Sequence, residues 1–171
     1  GTILPGGFTV ANNKLYILGG FNINVASINQ IWEFDPNGAV GARWTQMTNT
    51  PVGIMYAPTC TIDGIIYVGG GSDWDTVGAT VIDTTNSFSF NPLANSIGTI
   101  ATIPRATGET RGLNFNGRLY VMGGGRVAPN PSNEVDVYDP GTNTWSLGVP
   151  FNHARRNFPT DTNGTDHIWL S

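Results

Sequence analysis

Apolar and polar residues along this chain fall into short runs of four to eight, separated by Gly, Asn, Asp and Pro. In "LYIL", "IYVG" and "LYVM", which start at Leu15, Ile66 and Leu119, both alternating faces are apolar. That pattern predicts strands covered on both sides, because a sheet with one wet face would carry polar residues at every second position. A second kind of run alternates and then stops at an Asp/Asn-Pro turn: "IWEFDPN", "SFSFNPL" and "VDVYDPG". A third is led by tryptophan, "RWTQM" at Trp44 and "TWSLG" at Trp145; the middle of the chain offers "IGTIATI" from Ile97 instead. Ahead of each doubly apolar strand stands a residue pair that tolerates positive φ at both centres of a type I′ hairpin turn. These pairs are Asn12-Asn13, Asp63-Gly64 and Asn116-Gly117, with Asn163-Gly164 before the closing "DHIWLS".

The runs recur in one order. Tyr16, Tyr67, Tyr120 and Trp169 mark the same strand at intervals of about 50 residues, the range in which self-similarity signals a repeat architecture. Four strands per interval, joined by tight turns, predict one antiparallel sheet per repeat.

The pattern resembles the kelch repeat. The residues that carry the resemblance are the paired glycines Gly19-Gly20, Gly69-Gly70 and Gly123-Gly124, the Tyr ahead of each pair, and the later Tyr138-Asp139-Pro140 followed by Trp145. It covers essentially the whole chain. It implies an all-β, kelch-type β-propeller in which each repeat is a four-stranded blade, its strands called a to d outward from a central channel. The blades are expected at about 7–47, 54–103 and 111–147, with the inner a–b hairpin of a fourth at 157–171. The glycines should end strand b where a side chain would block close backbone approach or where φ turns positive. Trp44 and Trp145 should fill the wider wedge between blades, far from the axis. Three blades and a hairpin form only a partial ring with two apolar faces open. The chain is therefore expected to be a piece of a longer one, the remaining blades or self-association covering those faces.

Composition narrows the function. Charged residues make up 12% of the chain, about half the usual share, and 23 Gly with 11 Pro fit many turns and short strands. The net charge is -4 and the arginines are scattered, so no basic stripe could neutralise phosphates, and nucleic acid is not an expected partner. No run approaches the roughly 20 apolar residues that span a bilayer, so no membrane insertion is expected. Cys60 is the only cysteine and cannot form an internal disulfide; with Lys14 the only lysine in an Asn/Thr/Gly-rich background, an extracellular or cell-surface location is expected.

Candidate chemistry is sparse. His153 and His167 are the only histidines, and Cys60 aligns with Leu113 on an inner strand, which predicts a small core residue. "DWDTVG" at Asp73 lacks the third acidic ligand and the distal Glu of a calcium loop. Kelch-like propellers include copper oxidases resembling galactose oxidase and sialic-acid epimerases; the two Tyr, two His and cross-linked Cys that the first resemblance implies cannot be placed here. No cofactor or metal is expected from these residues. The favoured expectation is a binding module for a protein or carbohydrate, with an enzyme fragment or a structural spacer as alternatives. In an antiparallel blade the b–c and d–a connections emerge on one face. That face should carry Phe21, Asp73, Trp74, Asp75 and Arg126 from b–c loops, and Arg105, Arg111, Arg155 and Arg156 from d–a connections and strand-a starts.

Overall fold

The computed structural model describes residues 3–22, 27–125 and 131–171. Among them regular structure is all strand. The first blade is β1 (Ile3–Ala11), β2 (Lys14–Asn22), β3 (Ser27–Phe34) and β4 (Trp44–Asn49), hydrogen-bonded in that order. The second is β5 (Thr59–Ile62) and β6 (Ile65–Gly69), then, past an inserted hairpin of β7 (Ser72–Asp75) and β8 (Thr80–Asp83), β9 (Ser87–Asn91) and β10 (Ser96–Thr99). The third is β11 (Arg111–Phe115), β12 (Arg118–Met122), β13 (Val135–Asp139) and β14 (Thr144–Leu147). A two-stranded sheet, β15 (Thr160–Thr162) and β16 (Ile168–Leu170), stands beside it. The architecture is all-β, with each blade a sheet of antiparallel strands.

The a–b turns take the predicted conformation in three blades. Asn12 and Asn13, Asp63 and Gly64, and Asn116 and Gly117 all have positive φ. The fourth differs. Of Asn163 and Gly164 only the glycine has positive φ, and residues 163–167 form a longer loop in which the Asn163 carboxamide oxygen accepts from the Thr165, Asp166 and His167 N–H groups. Along this loop the side-chain bonds to Asn163 take the place of the ladder.

Apolar cores lie between blades. Tyr16, Leu18 and Ile31 of the first blade pack with Ile66, Val68, Phe88 and Phe90 of the second, with Tyr16 edge-on to Phe90 at 6.0 Å. Cys60 and Ile62 meet Leu119, Val121 and Tyr138 of the third blade, with Tyr67 and Tyr138 ring centres 5.7 Å apart. Trp145 fills the wedge as expected: its indole N–H donates to the Ala101 carbonyl at 2.8 Å, across to the second blade. Trp44 does not. It rests on Phe34 at 4.8 Å and is 50% exposed, because the face it shares with Phe8 and Val10 has no blade against it.

The strand-b glycines join neighbouring blades. In each repeat the residue three after the aromatic, Gly19, Gly70 and Gly123, has positive φ. A Cβ on these would press on the backbone carbonyl of Ile54, Thr107 or Arg155 in the following repeat. One residue on, Gly20, Gly71 and Gly124 donate their N–H groups to those same three carbonyls at 2.8, 2.7 and 3.0 Å. The functional pair of the middle repeat is thus Gly70-Gly71, one position later than Gly69-Gly70; Gly69 instead makes room for the Trp145 ring. A second recurring tie lies on the outer rim. Asn95 and Asn143, both at positive φ in the c–d turns, accept from the Thr48 and Ala101 N–H groups of the preceding blade at 2.8 and 2.7 Å.

Candidate functional site

The register fixes which end of the blades the loops occupy. Ile3 pairs with Asn22 and Arg111 with Met122, so the start of each strand a lies beside the end of strand b. The b–c and d–a connections therefore share one face.

At this face the sequence expectation of a plain b–c loop in the second repeat gives way to the β7–β8 hairpin. "SDWD" and "TVID" alternate and pair through Ser72↔Asp83 and Trp74↔Val81. The hairpin is held at its base by a Met55↔Ser72 bridge and at its tip by the Asp75 carboxylate, which accepts from the Val77 N–H at 2.9 Å. It leans on the first blade. Trp74 packs on Phe21 with ring centres 5.5 Å apart, and the Ser27 hydroxyl donates to the Asp73 carboxylate. Asp73 also accepts from the Trp74 N–H at 2.7 Å. The structure thus brings Phe21, Asp73 and Trp74 into one half-buried cluster across two blades, with Asp75 at its edge.

The arginines divide by role. Arg105 turns inward: its Nε donates to Asp136 at 2.6 Å and lies 3.3 Å from Glu134, and its terminal nitrogen reaches the Gly123 and Glu134 carbonyls. It is a clamp between the second-to-third connection and β13, so it leaves the candidate contact set. Asp136 is fully buried, and that burial raises its carboxyl above the ordinary carboxylate value despite the opposing Arg105 charge. Arg155 is half-buried; its carbonyl is the one that receives Gly124, and its Nε donates to the His153 carbonyl. Arg156 pairs with Glu109 at 3.5 Å. Arg126 lies outside the described residues.

Arg111 opens onto a pocket of about 420 Å³ where the four innermost strands converge, walled by Gly6 and Phe8 of β1, Tyr56 and Thr59 at β5, Gly112 of β11 and Thr160 of β15. In three repeats the chain enters strand a through a left-handed residue, Tyr56, Glu109 and Asn157, with φ of 50°, 51° and 51°; of these Tyr56 lines the pocket. Three different side chains hold one conformation that L residues rarely adopt, so the entry geometry is imposed by the repeat and not by local preference. Nothing in the sequence flags Tyr56, because its residue type has no affinity for positive φ. A larger cleft, about 1050 Å³, lies elsewhere, between the outer strands of the third blade and β16; Tyr120, Val137, Leu147 and Ile168 line it.

Cys60 is buried in the second core, and burial pushes its thiol well above the ordinary range, as a core residue and not a nucleophile would have it. His153 is exposed, and His167 is exposed beside Asp166 at 2.7 Å. Among the described residues no three His, Cys, Asp or Glu side chains gather as a metal-binding group, and no helix is long and apolar enough to cross a membrane.

Comparison with known proteins agrees with this geometry. The family model of the kelch motif matches residues 112–152. An F-box/kelch-repeat protein of Arabidopsis thaliana is 30% identical over 140 residues, which are 75% of this chain and 28% of that protein. A second F-box/kelch-repeat protein of the same plant is 25% identical over 154 residues, 83% of this chain and 40% of its own length. The solved structure of YjhT superposes with a TM-score of 0.77 at 20% identity, covering 99% of this chain and 58% of that one. At that identity the likeness speaks for the fold. The chain spans less than two thirds of each of these proteins.

Proposed function

The chain belongs to the kelch-repeat family, and from that premise we propose that it is an interaction module whose b–c and d–a face docks a protein partner. The observation that carries this reading is the Phe21–Trp74 pair, two aromatic rings on a hairpin and a strand end held by two blades, on the same face at which Arg111 starts β11. Aromatic side chains fixed by a rigid scaffold lose little conformational freedom on binding and dominate interface energetics. Asp73 and Ser27 hold the hairpin against the first blade, so Trp74 is pre-positioned.

The test is Trp74→Ala, with affinity measured by calorimetry against a partner captured by the unmodified protein. The expected result is binding weakened by about tenfold or more, with an unchanged β-sheet circular dichroism spectrum. Unaltered affinity would move the interface elsewhere. Competition by a glycan in place of a protein would change the partner class to carbohydrate.

We propose further that the open blade faces are covered in the working protein, by additional blades or by a second copy. Phe8, Val10 and Trp44 are all at least half exposed on one sheet face, a cluster of large apolar side chains that soluble proteins seldom leave bare. The 171-residue chain on its own is expected to self-associate, and Phe8→Glu with Trp44→Glu to lower its mass by light scattering. A monodisperse monomer before substitution would sink this reading.

A further inference from the structure

Arg111 is, among the described residues, the cation whose side chain makes neither an ion pair nor a hydrogen bond. The others are engaged: Lys14 with Glu33, Arg43 with the Gly38 carbonyl, Arg105 with Asp136, Arg118 with Asp139, Arg155 with the His153 carbonyl and Arg156 with Glu109. The strand register also shows that the architecture does not demand a charge there. Tyr120, Tyr67, Tyr16 and Trp169 face Leu113, Cys60, Thr9 and Asp161, so the residues matching Arg111 in the other repeats are Pro58, Gly7 and Pro159. One repeat alone sets a guanidinium at this level of the channel, and it does so at the wall of a concave space.

Three of the lining residues are glycines. Gly6, Gly7 and Gly112 carry no side chain, and a Cβ at any of them would collide with neighbouring strands. Thr59 and Thr110 direct their hydroxyls to backbone carbonyls, those of Ala57 and Met122, and Arg111 is the charged donor among the lining residues. The volume, about 420 Å³, lies in the range of small-ligand sites and exceeds what one acidic side chain fills. Arg111 is exposed at the wall of this pocket, and a guanidinium selects planar carboxylate through paired N–H donors.

We propose that this pocket is a carboxylate-binding site, and, resting on the interaction face described above, that the carboxylate is an acidic side chain of the protein partner. It supplies the polar anchor at the channel, as Trp74 supplies the apolar one on the hairpin.

The probe is a capped Gly-Glu-Gly tripeptide, with the capped Gly-Gln-Gly tripeptide as its uncharged match, titrated into the protein at low salt. The readout is the Arg111 Nε–Hε resonance, assigned by its loss in Arg111→Gln. The expected result is a saturable shift with the Glu peptide, at least about tenfold weaker with the Gln peptide, and no saturable shift of the pocket amides in Arg111→Gln. Equal response to both peptides, no saturation, or an unchanged titration in the variant would overturn the site, and the wild-type titration decides this even if the variant folds poorly. The two readings fail separately. If the partner binds through Trp74 while the Glu peptide leaves Arg111 unmoved, the pocket is wrong and the face stands. If the Glu peptide saturates the pocket while Trp74→Ala leaves partner binding intact, the carboxylate site stands and the face is wrong.

Discussion

Gly123→Ala is expected to destabilise the protein by about 2–5 kcal/mol. Two effects add. The residue has a φ of +63°, where an L side chain costs about 1–2 kcal/mol, and its Cβ would sit 2.6 Å from the Arg155 carbonyl oxygen and 3.0 Å from the Phe151 and Phe158 rings. The carbonyl cannot retreat freely, because it accepts the Gly124 N–H at 3.0 Å. Overpacking against a fixed backbone costs about 1–3 kcal/mol more. Gly117→Ala separates the two terms: its φ is +72°, yet a Cβ there meets nothing within 4 Å, so it should lose only the conformational part, about 1–2 kcal/mol. Urea unfolding of both variants is the measurement. Equal losses would mean that these glycines serve backbone conformation alone and that the close approach of blades is unimportant. The same comparison applies to Gly70, which would meet Thr107 at 2.7 Å.

These glycines also show why so much of the fold was legible in the sequence. Each repeat solves one packing problem with the same residues, so the Tyr, the glycines and the a–b turn pairs recur at matching positions and report a shared geometry. What was hidden is what the repeats do not share. The β7–β8 hairpin has no counterpart among the described residues of the other repeats, and its alternation in "SDWD" and "TVID" was readable only as loop. The candidate site follows the same division. Its face was set by strand direction and so could be deduced, whereas the contact of Phe21 with Trp74 joins residues from different blades and depends on how the hairpin leans. Arg105 and Arg111 are alike in sequence, both just before or at a strand a. Only the position of Asp136, buried on strand c of the third blade, turns one inward and leaves the other on the pocket. A residue's type says that it can make an ion pair; the three-dimensional neighbourhood decides whether one is already made.

That difference carries the second large effect. Arg105→Ala is expected to cost about 2–4 kcal/mol at neutral pH, because it leaves the Asp136 carboxylate buried without its counter-charge. The lower part of the usual range for a broken buried pair applies, since Arg105 keeps 22% of its side chain exposed and water tempers its charge. Burial already raises the Asp136 carboxyl above its ordinary value of 3.8, with Arg105 opposing the rise, so removing Arg105 raises it further. A carboxyl raised in the folded state holds its proton where the unfolded chain has released it. Its penalty is therefore absent below the unfolded value near 3.8 and grows as pH climbs through the folded one. The gap between Arg105→Ala and the unmodified protein should accordingly be narrower at low pH than at neutrality. Glu134, mostly exposed and 3.3 Å from Arg105, is solvated in either case and shifts this little. Adding Asp136→Asn to Arg105→Ala removes the stranded charge and should recover part of the loss at neutral pH. Denaturant unfolding at both pH values tests the account: a gap that widens in acid, or a double variant no more stable than Arg105→Ala, would show that Arg105 acts through packing of its stem and not through the buried carboxylate.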